Sequence, residues 1–101
     1  MATKGIKKQS EKATDALLRK RIKALGGKYV KLGTQYQSAL PDRMCLLSGG
    51  RIIFVEVKSE GEKPTPLQAI EHRDFRSLGH WVEVIDTAEQ VELFIMSLNN
   101  G

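Results

Sequence analysis

The pattern of apolar and polar positions along the chain predicts structural elements in the order α-β-β-β-α-β-α. The segment 51–58 is apolar on both alternating faces, as expected of a central strand covered on both sides. Ser48-Gly49-Gly50 joins it to an apolar run over 44–47, and such a short glycine-rich connection predicts a hairpin. The other predicted elements are a helix over about 10–25, a strand over about 28–31, a helix over about 66–78, a strand over 80–85 and a final helix. This order predicts an α/β fold in which a mixed sheet is flanked by helices.

Residues with known capping preferences lie at the ends of the predicted helices. They are Ser10 or Gln9 before the first helix, Gly26-Gly27 after it, Thr65 followed by Pro66 at the start of the second, Gly79 after it, and Asp86 or Thr87 before the third. On the third helix, Leu93, Phe94 and Met96 widen the apolar face beyond what one small sheet needs. That excess predicts contact with a partner subunit.

The amino-acid composition is typical of an ordinary soluble protein. The 101 residues are enough for one domain, which we expect over 10–101 after a flexible basic N-terminus over 1–9. The single cysteine, Cys45, excludes an internal disulfide and fits a reducing cytosol. Its apolar neighbours predict a buried structural thiol. No apolar run predicts a signal peptide or a segment that spans a membrane.

Charge is distributed unevenly along the chain. Residues 1–31 contain ten Lys or Arg and two acidic residues, whereas the rest of the chain has six basic and ten acidic residues. A basic N-terminal third is expected of a surface that meets phosphate backbones. A solvated helix face, an RNA-binding surface and a membrane-surface role are compatible with the same charges.

The candidate chemistry lies in the pattern Leu40-Pro41-Asp42, thirteen further residues, and then Glu56-Val57-Lys58. A carboxylate inside an apolar strand is costly unless something positive meets it there. The predicted hairpin brings Asp42 beside Glu56 or Lys58, so two carboxylates can hold Mg²⁺ with a backbone carbonyl such as that of Val57. Lys58 can then orient a water molecule or stabilise developing charge. The pattern therefore predicts a metal site that cuts a phosphodiester; the alternative is a Glu56–Lys58 surface pair with Asp42 in a turn.

Three ordered motifs also carry a family resemblance. They are Ser38-Ala39-Leu40-Pro41-Asp42-Arg43, Phe54-Val55-Glu56-Val57-Lys58 and Lys63-Pro64-Thr65-Pro66-Leu67-Gln68. Together they resemble the virus-type replication-repair nuclease (VRR-NUC) domain of the PD-(D/E)xK superfamily, whose core is similar to that of type II restriction endonucleases. The resemblance extends from about Ser10 to Ile85 and looks like a stand-alone, phage-type member.

The resemblance implies roles for particular residues. Asp42 and Glu56 match metal-binding carboxylates of the family, Lys58 matches its catalytic lysine, and Gln68 matches a glutamine that supports the active site. For Gln68 the spacing Thr65-x-x-Gln68 equally predicts a capping box, in which Gln68 bonds the backbone of the N-cap.

The family also uses an acid from the first helix, for which this chain offers two candidates. Glu11 and Asp15 both lie at the N-terminal end of the helix's apolar stripe, and we favour Glu11 as the metal ligand. Complementing the helix dipole is the simpler explanation for both acids.

One position departs from the family pattern. Ala39 stands where the family usually has glycine, and alanine would strain the loop before Asp42 if that glycine needs a positive φ.

The activity implied by the resemblance is metal-dependent DNA cleavage with Mg²⁺ or Mn²⁺. Stand-alone members resemble Holliday junction resolvases, so we expect branched or four-way-junction DNA as the substrate and a homodimer as the active state. A nickase of flaps or duplex DNA, a DNA-binding module without catalysis and an interaction domain remain as alternatives.

Both histidines, His72 and His80, are predicted to lie on the surface, because neither has a clear partner in the sequence. Trp81, in an alternating strand, is predicted to belong to the core or to an interface.

Overall fold

A computed structural model describes residues 8–33 and 39–100. Its elements are α1 (Glu11–Ala24), β1 (Lys28–Lys31), β2 (Arg43–Leu47), β3 (Arg51–Val57), α2 (Pro66–Ser77), β4 (Trp81–Ile85) and α3 (Ala88–Asn100). The predicted order and the predicted α/β class are both confirmed. Most of the predicted flexible N-terminus, 1–7 of 1–9, lies outside the described residues.

The four strands form one mixed sheet in the order β1-β2-β3-β4. The first three strands are antiparallel, and β4 returns through α2 to lie parallel to β3. The predicted hairpin joins β2 and β3 through one 3₁₀ turn, Ser48–Gly50. Gly49 and Gly50 have φ values of 78° and 76°, a conformation that glycine adopts without steric cost.

The apolar core fills the space between one face of the sheet and the helices α1 and α3. Its members come from every strand and from both helices, and include Leu18, Ile22, Cys45, Ile53, Val55, Val57, Val91 and Leu98. Cys45 is a free, buried thiol as predicted, and burial raises its pKa to about 12. Trp81 packs edge-on against Phe94 at the border of this core, as predicted for a core or interface residue.

The opposite face of the sheet is covered only in part, because α2 packs over β4 and one end of β3. Phe75 of α2 contacts Phe54 edge-on, with ring centroids 5.0 Å apart. Along β3 the exposure of this face changes sharply: Ile52 is 49% exposed, whereas Glu56 is 4% exposed. The prediction that the whole strand is covered on both sides is therefore wrong at its start and right at its end. Burial on both faces is confined to the end that carries Glu56.

Two helix starts near this end of the sheet are capped as the sequence predicts. The Ser10 hydroxyl accepts from the N–H of Ala13 at the start of α1, and the Thr65 hydroxyl accepts from the N–H of Gln68 at the start of α2. Among the described residues, no helix is both long and apolar enough to cross a lipid bilayer.

Candidate active site

Asp42 and Glu56 face each other where the β2–β3 hairpin opens. Arg43 pairs with Val55, so continuing the antiparallel register by one residue places Asp42 opposite Glu56. Residues directly opposite on neighbouring strands project to the same face. The negative charge of Asp42 is accordingly one cause of the raised pKa of Glu56. The hairpin thus brings together two carboxylates that are distant in the sequence.

Glu56 is a buried carboxyl group with an unusual affinity for its proton. Its pKa is raised to about 7, first by burial and then by the Asp42 charge, with a further contribution from Glu11. Lys58 opposes this rise, and its Nζ lies 3.8 Å from Glu56 Oε2. A cation bound beside this carboxyl group would lower its pKa and displace the proton, because a nearby positive charge favours the ionised form.

Asp42 is held between a guanidinium group and the backbone of β3. Burial raises its pKa, while the positive charge of Arg43 and the backbone N–H of Val57 act in the opposite direction. Asp42 Oδ2 lies 3.0 Å from Arg43 Nη1. In a strand the N–H and C=O of one residue point to the same side, so the Val57 carbonyl is on the side of Asp42.

Arg43 is a residue of this region that the sequence did not single out. It is only 5% exposed, and its Nε donates to Asp15 Oδ1 at 2.8 Å while Nη1 pairs with Asp42. The Tyr29 hydroxyl also donates to Asp15 Oδ1, at 2.6 Å. The one signal in the sequence is an arginine at a strand position whose alternating neighbours, Cys45 and Leu47, are apolar and buried.

These bonds distinguish the two acids of α1. Burial raises the pKa of Asp15, but the bonds from Arg43 and Tyr29 outweigh it and leave that pKa lowered. The Asp15 carboxylate is therefore held by hydrogen bonds from Arg43 and Tyr29. Glu11, by contrast, acts on Glu56 through its charge.

Gln68 makes both of the contacts that the sequence left as alternatives. Its Oε1 accepts from the N–H of Thr65, which completes a capping box at the start of α2. Its Nε2 donates to Glu56 Oε2 at 3.3 Å. The start of α2 is thus fixed to the end of β3 through one amide side chain.

The prediction of a surface position is wrong for His72, which is 2% exposed and lies beside Glu56. Its Nε2 is 3.8 Å from Glu56 Oε1. Burial lowers the pKa of His72, and the charges of Arg76 and Lys58 lower it further, all of which favours the neutral imidazole. The four-residue spacing from Gln68 is the signal that the sequence offers, because residues so spaced share a helix face. His80 is exposed, as predicted.

Comparison with known proteins agrees with this geometry. A solved structure described as "VRR_NUC domain" superposes with a TM-score of 0.81 and 37% sequence identity, covering 87% of this chain and 96% of that one. A protein of Acyrthosiphon pisum secondary endosymbiont phage 1, named "Putative nuclease p44", is 43% identical over 68 residues, which are 67% of this chain and 73% of the phage protein. No family model matches the sequence.

The chain belongs to the VRR_NUC family. Its fold is of the nuclease type, as the three motifs predict. The solved VRR_NUC domain is matched over nearly its whole length, so the likeness extends to the fold and is not confined to one motif.

The donors of this VRR_NUC site fit a hard divalent cation. Asp42 Oδ1 and Glu56 Oε1 are buried and have no hydrogen-bond partner within the described residues. Mg²⁺ is typically held by one or two carboxylates together with water and substrate phosphate. Over 8–33 and 39–100, no three His, Cys, Asp or Glu side chains converge as a complete set of metal ligands, so Glu11 does not join Asp42 and Glu56 in such a set here.

Ala39 does not strain the approach to Asp42. Within the described residues, every positive φ belongs to a glycine, so Ala39 has an ordinary backbone conformation. The condition under which alanine would distort this VRR_NUC loop is therefore not met.

Proposed function

We propose that this VRR_NUC protein is a Mg²⁺- or Mn²⁺-dependent endonuclease that hydrolyses phosphodiester bonds in branched DNA, with a four-way Holliday junction as its substrate. The observation that carries the proposal is the pair of half-buried Asp42 and buried Glu56, each with one buried oxygen that has no partner within the described residues, beside Lys58. Buried carboxylates in this state are costly to the fold, and a bound cation would offset that cost.

In this proposal Asp42, Glu56 and the carbonyl of Val57 hold the metal ion, and Glu11 joins them as a ligand from α1 when the metal binds. A metal ion in that position supplies polarisation of a phosphoryl oxygen and acidifies bound water. Gln68 keeps the Glu56 carboxylate in place by donating to Oε2. Arg43 fixes Asp42 from the opposite face of the sheet.

Lys58 is the proposed catalytic lysine. Its side chain is largely buried and lies on the same strand face as Glu56, two residues away. From there the ammonium group can hold the attacking water or stabilise the charge that develops on the phosphate in the transition state.

In this proposal the protein acts on DNA as a homodimer in the cytoplasm of a bacterium or an infected host, and two considerations favour the dimer. Two symmetric cuts in a junction require two sites related by a two-fold axis. On α3, Leu93 is 64% exposed and Met96 is also exposed, although Phe94, predicted to join them, is buried. A groove of about 270 Å³ beside Leu93, between β4 and α3, contains none of the proposed site residues. A strictly monomeric protein with full junction-cleaving activity would refute the dimer.

Cleavage of a labelled four-way junction tests the function, alongside linear duplex of matched sequence, with Mg²⁺, Mn²⁺ or EDTA. We expect paired, metal-dependent cuts in the junction that are lost in Lys58→Ala and kept in Lys63→Ala, a matched change of an exposed lysine. Preferential cutting of flaps or duplex would point to a nickase of the same fold. Junction binding without cleavage in any metal would identify a DNA-binding module.

A further inference from the structure

Two side chains of α2 face the two oxygens of Glu56. Gln68 and His72 are four residues apart, a spacing that places them one above the other on the same face of a helix. Gln68 Nε2 donates to Oε2 at 3.3 Å, and His72 Nε2 lies 3.8 Å from Oε1. One oxygen therefore has its donor, and the other faces a nitrogen just beyond hydrogen-bond distance.

In the contact between His72 and Glu56, neither of the two facing atoms makes a hydrogen bond within the described residues. Both atoms, Glu56 Oε1 and His72 Nε2, are buried. Burying an unpaired polar group destabilises a fold, so packing alone would favour an apolar residue such as leucine at this position.

We propose that His72 is a positioning residue for Glu56, which it holds together with Gln68 from the α2 side so that the carboxylate presents its free lone pairs to the metal position beside Asp42. The proposal rests on the proposed function, since a metal-bound Glu56 is what His72 would orient. The Nε2–H of the imidazole can donate to Glu56 Oε1 once the present separation of 3.8 Å shortens to about 3 Å. Groups that orient metal ligands in this way tune the affinity of a site without touching the metal.

Manganese binding measured without DNA tests this role, using titration calorimetry on the full chain. His72→Gln can place an amide nitrogen near the Nε2 position, whereas His72→Asn reaches only the Nδ1 position and His72→Leu has no donor. We expect Mn²⁺ affinity to fall at least about tenfold in His72→Leu and His72→Asn and to be largely retained in His72→Gln. His80→Leu, a change of the exposed histidine, is the matched control and should bind as the wild type does.

Thermal unfolding in EDTA separates positioning from packing. Because His72→Leu removes an unpaired buried nitrogen, its Tm without metal should equal or exceed that of the wild type, even though its metal affinity is lower. Unchanged Mn²⁺ affinity in His72→Leu and His72→Asn, or an equal loss in His72→Gln, would overturn the positioning role. Absence of Mn²⁺ binding by the wild type would instead overturn the proposed function and this inference with it.

Discussion

Two polar clusters meet at the same end of the sheet, on opposite faces, and their hydrogen bonding differs. On the α1 side, Arg43 joins Asp15 and Asp42, and the Tyr29 hydroxyl completes the bonding of Asp15. On the α2 side, Glu56 and His72 each leave a buried atom without a partner within the described residues. Asp15 therefore has its hydrogen-bond partners, whereas the α2-side cluster is incomplete. Asp42, which lies between the two clusters, also keeps its Oδ1 unpaired within the described residues.

The difference separates what holds the fold from what is available for chemistry. In a medium of low dielectric constant, a paired polar network is stable and an unpaired buried group is costly. The two acids that belong to one cluster each are shifted in opposite directions: the pKa of Asp15 is lowered and that of Glu56 is raised. Asp42, which lies between the clusters, has its pKa raised by burial. We infer that the α1-side cluster is scaffold and that the α2-side cluster stays incomplete because a cation and a substrate complete it.

The largest effect should come from breaking the paired cluster. Arg43→Met leaves the carboxylates of Asp15 and Asp42 without their shared cation, and removing one partner of a buried ion pair typically costs about 3–5 kcal/mol. Urea unfolding measures the loss, with Arg73→Met as the control because Arg73 forms only an exposed pair with Asp74. Equal losses in the two variants would deny the α1-side cluster its role as scaffold.

The free energy of unfolding should depend on pH, because ionised Glu56 destabilises the incomplete α2-side cluster. A folded pKa of about 7, against an ordinary value of 4.5, means that the folded protein binds a proton that the unfolded chain has released between these values. Stability from Glu56 is therefore greatest below about pH 4.5, falls as the pH rises to about 7, and changes little above it. The total fall is about 3 kcal/mol.

Urea unfolding in EDTA across this pH range measures the effect, as the difference between the wild type and Glu56→Gln, which cannot titrate at this position. We expect the wild type to lose stability relative to the variant as the pH rises, and saturating Mg²⁺ to reduce the loss by favouring the ionised carboxylate. Parallel curves for the two proteins would show that Glu56 titrates normally and that the clusters do not differ as inferred.

The smallest expected effect comes from the start of α2, where two substitutions distinguish the capping role of Gln68 from its contact with Glu56. Thr65→Ala removes the cap from α2 and should cost about 1 kcal/mol of stability with DNA cleavage unchanged. Gln68→Ala loses its half of the capping box and also the bond to Glu56, so it should lose cleavage as well as stability. Cleavage that follows stability equally in both variants would leave Gln68 with a capping role alone.

The sequence predicts those parts of the site that depend on local geometry. A glycine-rich turn sets the register of a hairpin, and the register determines which residue lies opposite Glu56, so the approach of Asp42 follows from the order of residues alone. The dual contacts of Gln68 follow equally from the spacing of one helix start.

The burial and contacts of Arg43 and His72 are not predicted from the sequence, because they depend on which helix covers which part of the sheet. Nothing local indicates that α2 covers Glu56 and leaves Ile52 open, or that Asp15 reaches across the core face to an arginine. The effect of Ala39 is likewise conditional on a backbone angle that composition does not determine.

Asp42 and Arg43 are consecutive in the chain, and consecutive strand residues project to opposite faces. A hairpin that paired one residue out of register would exchange them, turning Asp42 toward the carboxylate of Asp15 and Arg43 away from both of its partners. Two half-buried carboxylates would then meet once α1 packs on the sheet, and their repulsion would destabilise the mispaired hairpin. The dipeptide that brings an acid to the site thereby also acts as a check on the fidelity of folding.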